Sequence, residues 1–273
     1  MHDGPPGRVP MKRFDVLTLF PQLFEPFLVE GLLGRARREQ RLAVEVLNFR
    51  VHGLGRHKAV DDVPYGGGAG MVLRPEPLFT AVRERIAVHR AEGRETRTIL
   101  LTPQGVLFDQ AKARALAETD AALLLVCGRY EGFDERIRTA LADEELSLGD
   151  FVLLGGEIAA MAVIEAVARL LPGVLGNPAS SAEESFSAGR LEYPQYTRPV
   201  EFEGLRVPEV LCSGHHGQIE AWRAEQAERR TRERRPELLS TTGHAGRHAA
   251  TGQERTTADA AEDRLQARSL PKL

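Results

Sequence analysis

The residues best placed for chemistry lie in glycine-bounded runs. In Ser147-Leu148-Gly149-Asp150-Phe151-Val152-Leu153-Leu154-Gly155-Gly156-Glu157, the spacing predicts an apolar strand, Phe151 to Leu154, entered through a tight turn and left through a glycine pair. Glycine accepts φ > 0 and carries no Cβ to hold a ligand off the backbone. Glu157 then opens an apolar helix, Ile158 to Leu171, where a carboxylate in the first turn suits the helix dipole. A strand that ends in glycines before a helix is where open α/β sheets bind small ligands, and equally where glycine serves turn geometry alone.

Two further runs have the same character. Asp61-Asp62-Val63-Pro64-Tyr65-Gly66-Gly67-Gly68-Ala69-Gly70-Met71 sets paired aspartates beside consecutive glycines, an entropically costly composition for a mere connector, although a surface loop is the plain alternative. It lacks the Gly-x-Gly-x-x-Gly spacing of a dinucleotide loop and the Lys-Ser/Thr of a P-loop. Gly128-Arg129-Tyr130-Glu131-Gly132-Phe133-Asp134-Glu135-Arg136 is the other.

The elements that must position these runs read as α/β. Lys12–Phe20 and Leu42–Phe49 are strand-like, and Pro77–Arg90 is an amphipathic helix. Thr98–Thr102 is a buried-type strand ending at Pro103-Gln104-Gly105, Asp109 caps a helix through Leu116, and Ala122–Cys127 is another buried strand. Continuous apolar strands alternating with helices predict a mainly parallel sheet covered on both faces. Parallel strands deliver their C-terminal loops to one edge, so the loops after Thr102, Cys127 and Leu154 are expected to meet around one ligand.

Composition sets the outer limits. At 42% hydrophobic over 273 residues, the chain can bury a proper core. A net charge of −3 and a pI near 6.3 give no global nucleic-acid signal, so an RNA-binding face must come from clustered arginines. The two cysteines, Cys127 and Cys212, form no metal-type cluster. With no signal-peptide core and no membrane-length apolar run, a reduced, cytoplasmic protein is expected. Beyond Gly176 the apolar periodicity stops in a small, polar stretch. A Pro/aromatic segment, Tyr193–Pro199, follows, and then a helix from Gln218 to about Arg234 with a basic end at Arg229, Arg230, Arg232, Arg234 and Arg235.

Taken in order, Asp61–Met71, Leu101–Gly105, Cys127–Gly132, Leu148–Glu157, Pro172–Gly176 and Tyr196-Thr197-Arg198-Pro199 resemble the bacterial tRNA (guanine-N1)-methyltransferases of the TrmD type. The resemblance runs from about Met11 to Leu239. It implies a SPOUT-type α/β fold, with a mainly parallel sheet, a deep trefoil knot and a small, mostly helical C-terminal domain. It further implies a homodimer with active sites at the subunit interface, S-adenosyl-L-methionine as methyl donor, and N1 of guanosine 37 in tRNA as acceptor. Mg²⁺ is a candidate accessory ion; no protein-bound metal is expected. The domain plan is a disordered leader over 1–10, a cofactor-binding knotted domain over 11–175, a flexible linker over 176–190, a tRNA-binding domain over 191–240 and a disordered tail over 241–273.

By the same resemblance the cofactor pocket comprises Leu101, Pro103, Gln104, Gly128, Tyr130, Glu131, Ser147, Leu148, Gly149, Phe151, Leu153, Gly155 and Gly156. Ala159 stands where the family often has proline. Arg169 is the implied O6 stabiliser. The implied base is Glu184, where the family carries aspartate; Glu183 next door is the alternative. Arg198, Arg229 and Arg230 are the candidate tRNA contacts, with Arg56, His57 and Lys58 as a weaker basic set. The competing expectations are a catalytically weak or inactive tRNA-binding homologue, motivated by Glu184, and a nicotinamide-dependent oxidoreductase, disfavoured because no glycine fingerprint follows the first strand.

Overall fold

The computed structural model describes residues 11–176, 184–186 and 189–239. The expected leader, the tail, Glu183 and most of the linker lie outside them. The described residues fall into two compact units, divided after Gly176.

The first unit is built on β1 (Lys12–Thr18), β2 (Leu42–Asn48), β5 (Thr96–Leu107), β6 (Ala122–Cys127) and β7 (Glu144–Ser147), which form one sheet in the order β2-β1-β6-β5-β7. Every pairing in it is parallel. A short antiparallel pair, β3 (Asp61–Asp62) and β4 (Val72–Leu73), closes the base of the glycine-rich loop.

Alternation along the strands divides the core between the two faces. Phe14, Val16, Ile99, Leu101, Leu123 and Leu125 pack on one side with Leu116 of α4 (Gln110–Glu118) and with Ala160, Val163, Ile164 and Val167 of α6 (Glu157–Ala168). α1 (Glu25–Val29) and α2 (Gly31–Arg38) add Leu28, Leu33 and Ala36 to the same side. Leu17, Leu100, Leu124 and Val126 face the other way, onto Leu78, Val82 and Ile86 of α3 (Pro75–Ala91) and Ile137 and Leu141 of α5 (Glu135–Leu141). The continuous apolar run of β6 follows from this two-sided burial, since each large aliphatic side chain removed from water contributes about 1.5–3 kcal/mol.

Three expectations are corrected. Phe151–Leu154 is not a strand. The fourth buried strand is the shorter β7, and 148–156 is an irregular loop in which Val152 and Leu154 are 83% and 93% exposed. Glu144-Glu145-Leu146-Ser147 lacks an apolar run because β7 is an edge strand with only Leu146 in the main core. β5 does not stop at Thr102 but continues through Pro103-Gln104-Gly105, with its register to β7 broken between Leu101 and Val106. The helix opened by Glu157 ends at Ala168, before Leu171.

The second unit contains a hairpin, β8 (Glu201–Phe202) with β9 (Leu205–Arg206), then α7 (Glu209–Cys212) and α8 (His216–Arg234). Thr231 of α8 is fully buried. Its hydroxyl donates to the Ala227 carbonyl at 2.7 Å and accepts from the Leu191 amide at 2.9 Å, fastening the extended segment to the helix.

Away from the loop edge, a buried charge cluster anchors β1 to α3. The Asp15 carboxylate, with no side-chain exposure, meets Arg13 Nε at 2.8 Å, Arg85 Nε at 2.6 Å and His89 Nε2 at 2.9 Å. Burial alone would raise the Asp15 carboxyl, but the His89 ring and the Arg13 and Arg85 guanidiniums outweigh it and hold the pKa below its ordinary value. A depressed carboxylate contributes stability above its unfolded pKa of about 4 and loses it as the pH falls through the folded value. Asp15→Asn is therefore expected to lower the unfolding free energy by about 3–5 kcal/mol at pH 7. Urea melts should show that deficit shrinking below pH 4.

Candidate active site

The C-terminal ends of β6, β5 and β7 are neighbours in the sheet, so the loops that follow them leave on one edge. Together with the continuation of β5 they enclose a cavity of about 350 Å³. Leu101, Pro103 and Gln104 of β5 line it, with Gly128, Tyr130 and Glu131 after β6. Ser147, Leu148, Phe151, Leu153, Gly155 and Gly156 complete the ring. Of the expected pocket residues only Gly149 stands off the lining. It shapes the loop instead: the Ser147 hydroxyl donates to the Gly149 carbonyl at 3.1 Å and accepts the Gly149 amide at 3.3 Å.

The glycine pair has a different reason from the expected one. Neither Gly155 nor Gly156 is among the residues with positive φ. A Cβ on Gly155 would lie 2.3 Å from Arg129 Nε, and one on Gly156 would lie 2.7 Å from Cys127 Cα. The missing Cβ atoms let the Arg129 side chain approach Gly155 and the Cys127–Gly128 backbone approach Gly156. The Gly156 amide donates to the Gly128 carbonyl at 2.9 Å, joining the two loops directly. Cys127 itself is fully buried, and burial, with Glu157 adding to it, pushes its thiol pKa well up, so it acts as a packing group.

Tyr130 takes the left-handed conformation, φ +58°, which costs a non-glycine residue of order 1 kcal/mol or more and recurs at functional sites. The turn is held from both sides. Gly132 N donates to the Arg129 carbonyl at 3.1 Å, and Glu131 N to the Met71 carbonyl at 2.9 Å. The second of these brings the Asp61–Met71 loop against the cavity wall.

Ala159, noted beside the expected pocket, does line it, and Arg129, Arg138, Glu135 and Glu145 join the lining without having been assigned to it. Arg138 is paired with Glu135 and Glu145, which raise its pKa. Arg138 lies outside the sequence motifs and Arg129 sits inside one without an assigned role; what brings them to the cavity is the turn at Tyr130 and the packing of α5.

Arg169 caps the C-terminal end of α6. At 1.5 Å rise per residue it stands about 15 Å along the helix axis from Ala159 at the cavity. Glu184, Arg198, Arg229 and Arg230 belong to the second unit. Arg198 is exposed and lines a separate cavity of about 320 Å³, beside Tyr193, Tyr196 and Arg223. Trp222 of α8 meets Tyr196 at 6.4 Å between ring centroids. Arg229 is exposed and donates to Gln226; Arg230 is half-buried. In the same cluster Arg232 and Arg235 are paired with Glu228 and Glu237, which dilutes its positive field.

Residues 11–241 match the family described as tRNA (Guanine-1)-methyltransferase TrmD. The chain belongs to that family. Curated relatives named tRNA (guanine-N(1)-)-methyltransferase match most of the chain. That of Desulfitobacterium hafniense is 57% identical over 228 residues, 84% of each chain. Those of Symbiobacterium thermophilum and Halalkalibacterium halodurans are 56% and 52% identical, covering 83% of this chain and 91% of theirs. Among the described residues no helix is long and apolar enough to cross a membrane.

Substitution at the glycine pair tests the close approach. Gly156→Ala is expected to cost about 1–3 kcal/mol of stability through overpacking against the β6 backbone, read as a lowered midpoint in denaturant melts.

Proposed function

We propose that this chain transfers a methyl group from S-adenosyl-L-methionine to N1 of guanosine 37 in tRNA. The observation that carries the reading is the convergence of the 128–133 and 148–156 loops and the 101–104 stretch of β5 on one cavity in a member of the tRNA (guanine-N1)-methyltransferase family. The lining suits the donor. Adenine and ribose need apolar faces, backbone polar groups and a carboxylate, which Leu101, Phe151, the glycine backbones and Glu131 offer. The donor has no pyrophosphate, and the chain has no phosphate-cradling motif. Bound there, the donor supplies an electrophilic methyl group on a sulfonium. A SPOUT-type trefoil knot is part of the proposal, on the strength of the family membership.

The chain's own task is to deprotonate and position the acceptor. Glu184 is the proposed base for the N1 proton, with Arg169 as donor to O6 as charge spreads there. Glutamate offers the family aspartate's carboxylate on a stem one methylene longer, which its backbone must offset. Arg169 stands a helix length from its own chain's cavity. That separation supports a homodimer in which catalytic groups reach the partner's cavity. The exposed apolar side chains Phe151, Val152, Leu154 and Ile158 suit such an interface. The 11–175 region would hold the donor, and 191–240 would hold tRNA phosphates through Arg198, Arg229 and Arg230. The setting proposed is the cytoplasm.

Methyl transfer from radiolabelled donor to tRNA with guanosines at 36 and 37 is expected, and no incorporation by folded protein would refute the reading. Glu184→Gln should abolish turnover while donor binding persists; full activity in that variant would overturn the base assignment. Replacing Arg229 and Arg230 together by Ala should raise the tRNA KM and flatten its salt dependence, each lost phosphate contact reducing the log–log slope by about 1.

A further inference from the structure

A buried carboxylate at the head of α6 has no role in the reaction described above, yet it joins the segments that make the cavity. Glu157 is 2% exposed. Its Oε1 accepts from Thr18 Oγ1 at 2.7 Å and from Arg129 Nε at 3.2 Å, and its Oε2 lies 2.8 Å from Arg129 Nη2. The Thr18 hydroxyl also accepts from the Phe20 amide at 2.9 Å. The Phe20 ring lies under the Arg129 guanidinium, 4.3 Å from Cζ. The remaining guanidinium nitrogen, Nη1, donates to the Leu154 carbonyl at 3.1 Å. One side-chain pair thus ties the end of β1, the turn after β6 and the 148–156 loop.

Charge matters here as well as geometry. Arg129 lines the cavity, and its cation would oppose a positively charged ligand there. Like charges that share a partly desolvated cavity repel more strongly than in bulk water, which would weaken such a ligand. Held against a carboxylate withdrawn from water, by the Nε–Oε1 hydrogen bond and the Nη2–Oε2 ion-pair contact, the guanidinium keeps its direction and loses its net field.

We infer that Glu157 is a positioning residue that clamps Arg129, and with it the two cavity loops, and cancels the Arg129 charge so that the cavity accepts a cationic ligand. This rests on the S-adenosylmethionine reading above. The donor carries a sulfonium; S-adenosylhomocysteine, its demethylated product, carries a neutral thioether in the same frame. Calorimetric titration of both ligands separates charge from shape.

Glu157→Gln should weaken S-adenosylmethionine about tenfold and S-adenosylhomocysteine less than about threefold. Arg129→Gln should shift the ratio the other way, toward S-adenosylmethionine, because it leaves the carboxylate unopposed. Combining the two should restore most of the wild-type ratio. Equal weakening of both ligands in Glu157→Gln, or shifts of the same sign in the two single variants, would overturn the charge role. Should Glu157→Gln fail to fold, the sign of the Arg129→Gln shift decides. Hydrogen exchange of the ligand-free protein tests the clamp without any ligand. Glu157→Gln, or Arg129→Gln in its place, should speed exchange in 128–133 and 148–156 while β6 stays protected. Unchanged loops would overturn the clamp. Wild-type protein that binds neither ligand would defeat the donor reading and the charge role together, leaving the clamp to stand or fall on exchange.

Discussion

Parallel pairing of β5 between β6 and β7 is the constraint from which the site follows. Three strands running the same way must release their chains on one edge. The sheet delivers Leu101, Gly128 and Ser147 to neighbouring positions, and α5 and α6 add Glu135, Arg138 and Ala159 around them. Both faces are then occupied by helices, which leaves the loop edge as the place where polar groups and glycines can gather.

The loops hold their shape through contacts of differing kinds. Gly155 and Gly156 permit near-contact with Arg129 and Cys127, the Gly156–Gly128 hydrogen bond joins two loops, and Glu157 fixes the guanidinium that spans them. Tyr130 keeps a left-handed backbone between two anchored neighbours. Apolar side chains point outward from the same loop, a patch that the proposed dimer would cover.

Much of this was legible in the sequence, for identifiable reasons. β6 announces itself because a strand buried on both faces has no room for polar residues, and the Asp109 cap reads directly, its carboxylate accepting the Lys112 amide at 2.8 Å. The edge strand β7 was hidden: only Leu146 enters the main core, so the apolar run Phe151–Leu154 outcompeted it as a strand candidate. Glu157 reads as an ordinary first-turn carboxylate, since its partners Thr18 and Arg129 are remote in sequence. Arg169 and Glu184 carry no local signal of chemistry, and only the family resemblance singles them out.

The claim on which everything else depends is that the cavity at the loop edge of β5, β6 and β7 is the donor site. Hydrogen exchange with and without S-adenosylmethionine addresses it directly. Protection on binding is expected in 101–104, 128–133 and 147–156, with the Tyr193–Arg198 segment of the second unit unchanged. Protection confined to that second segment, or absent from all three cavity segments while the ligand is bound, would contradict the account.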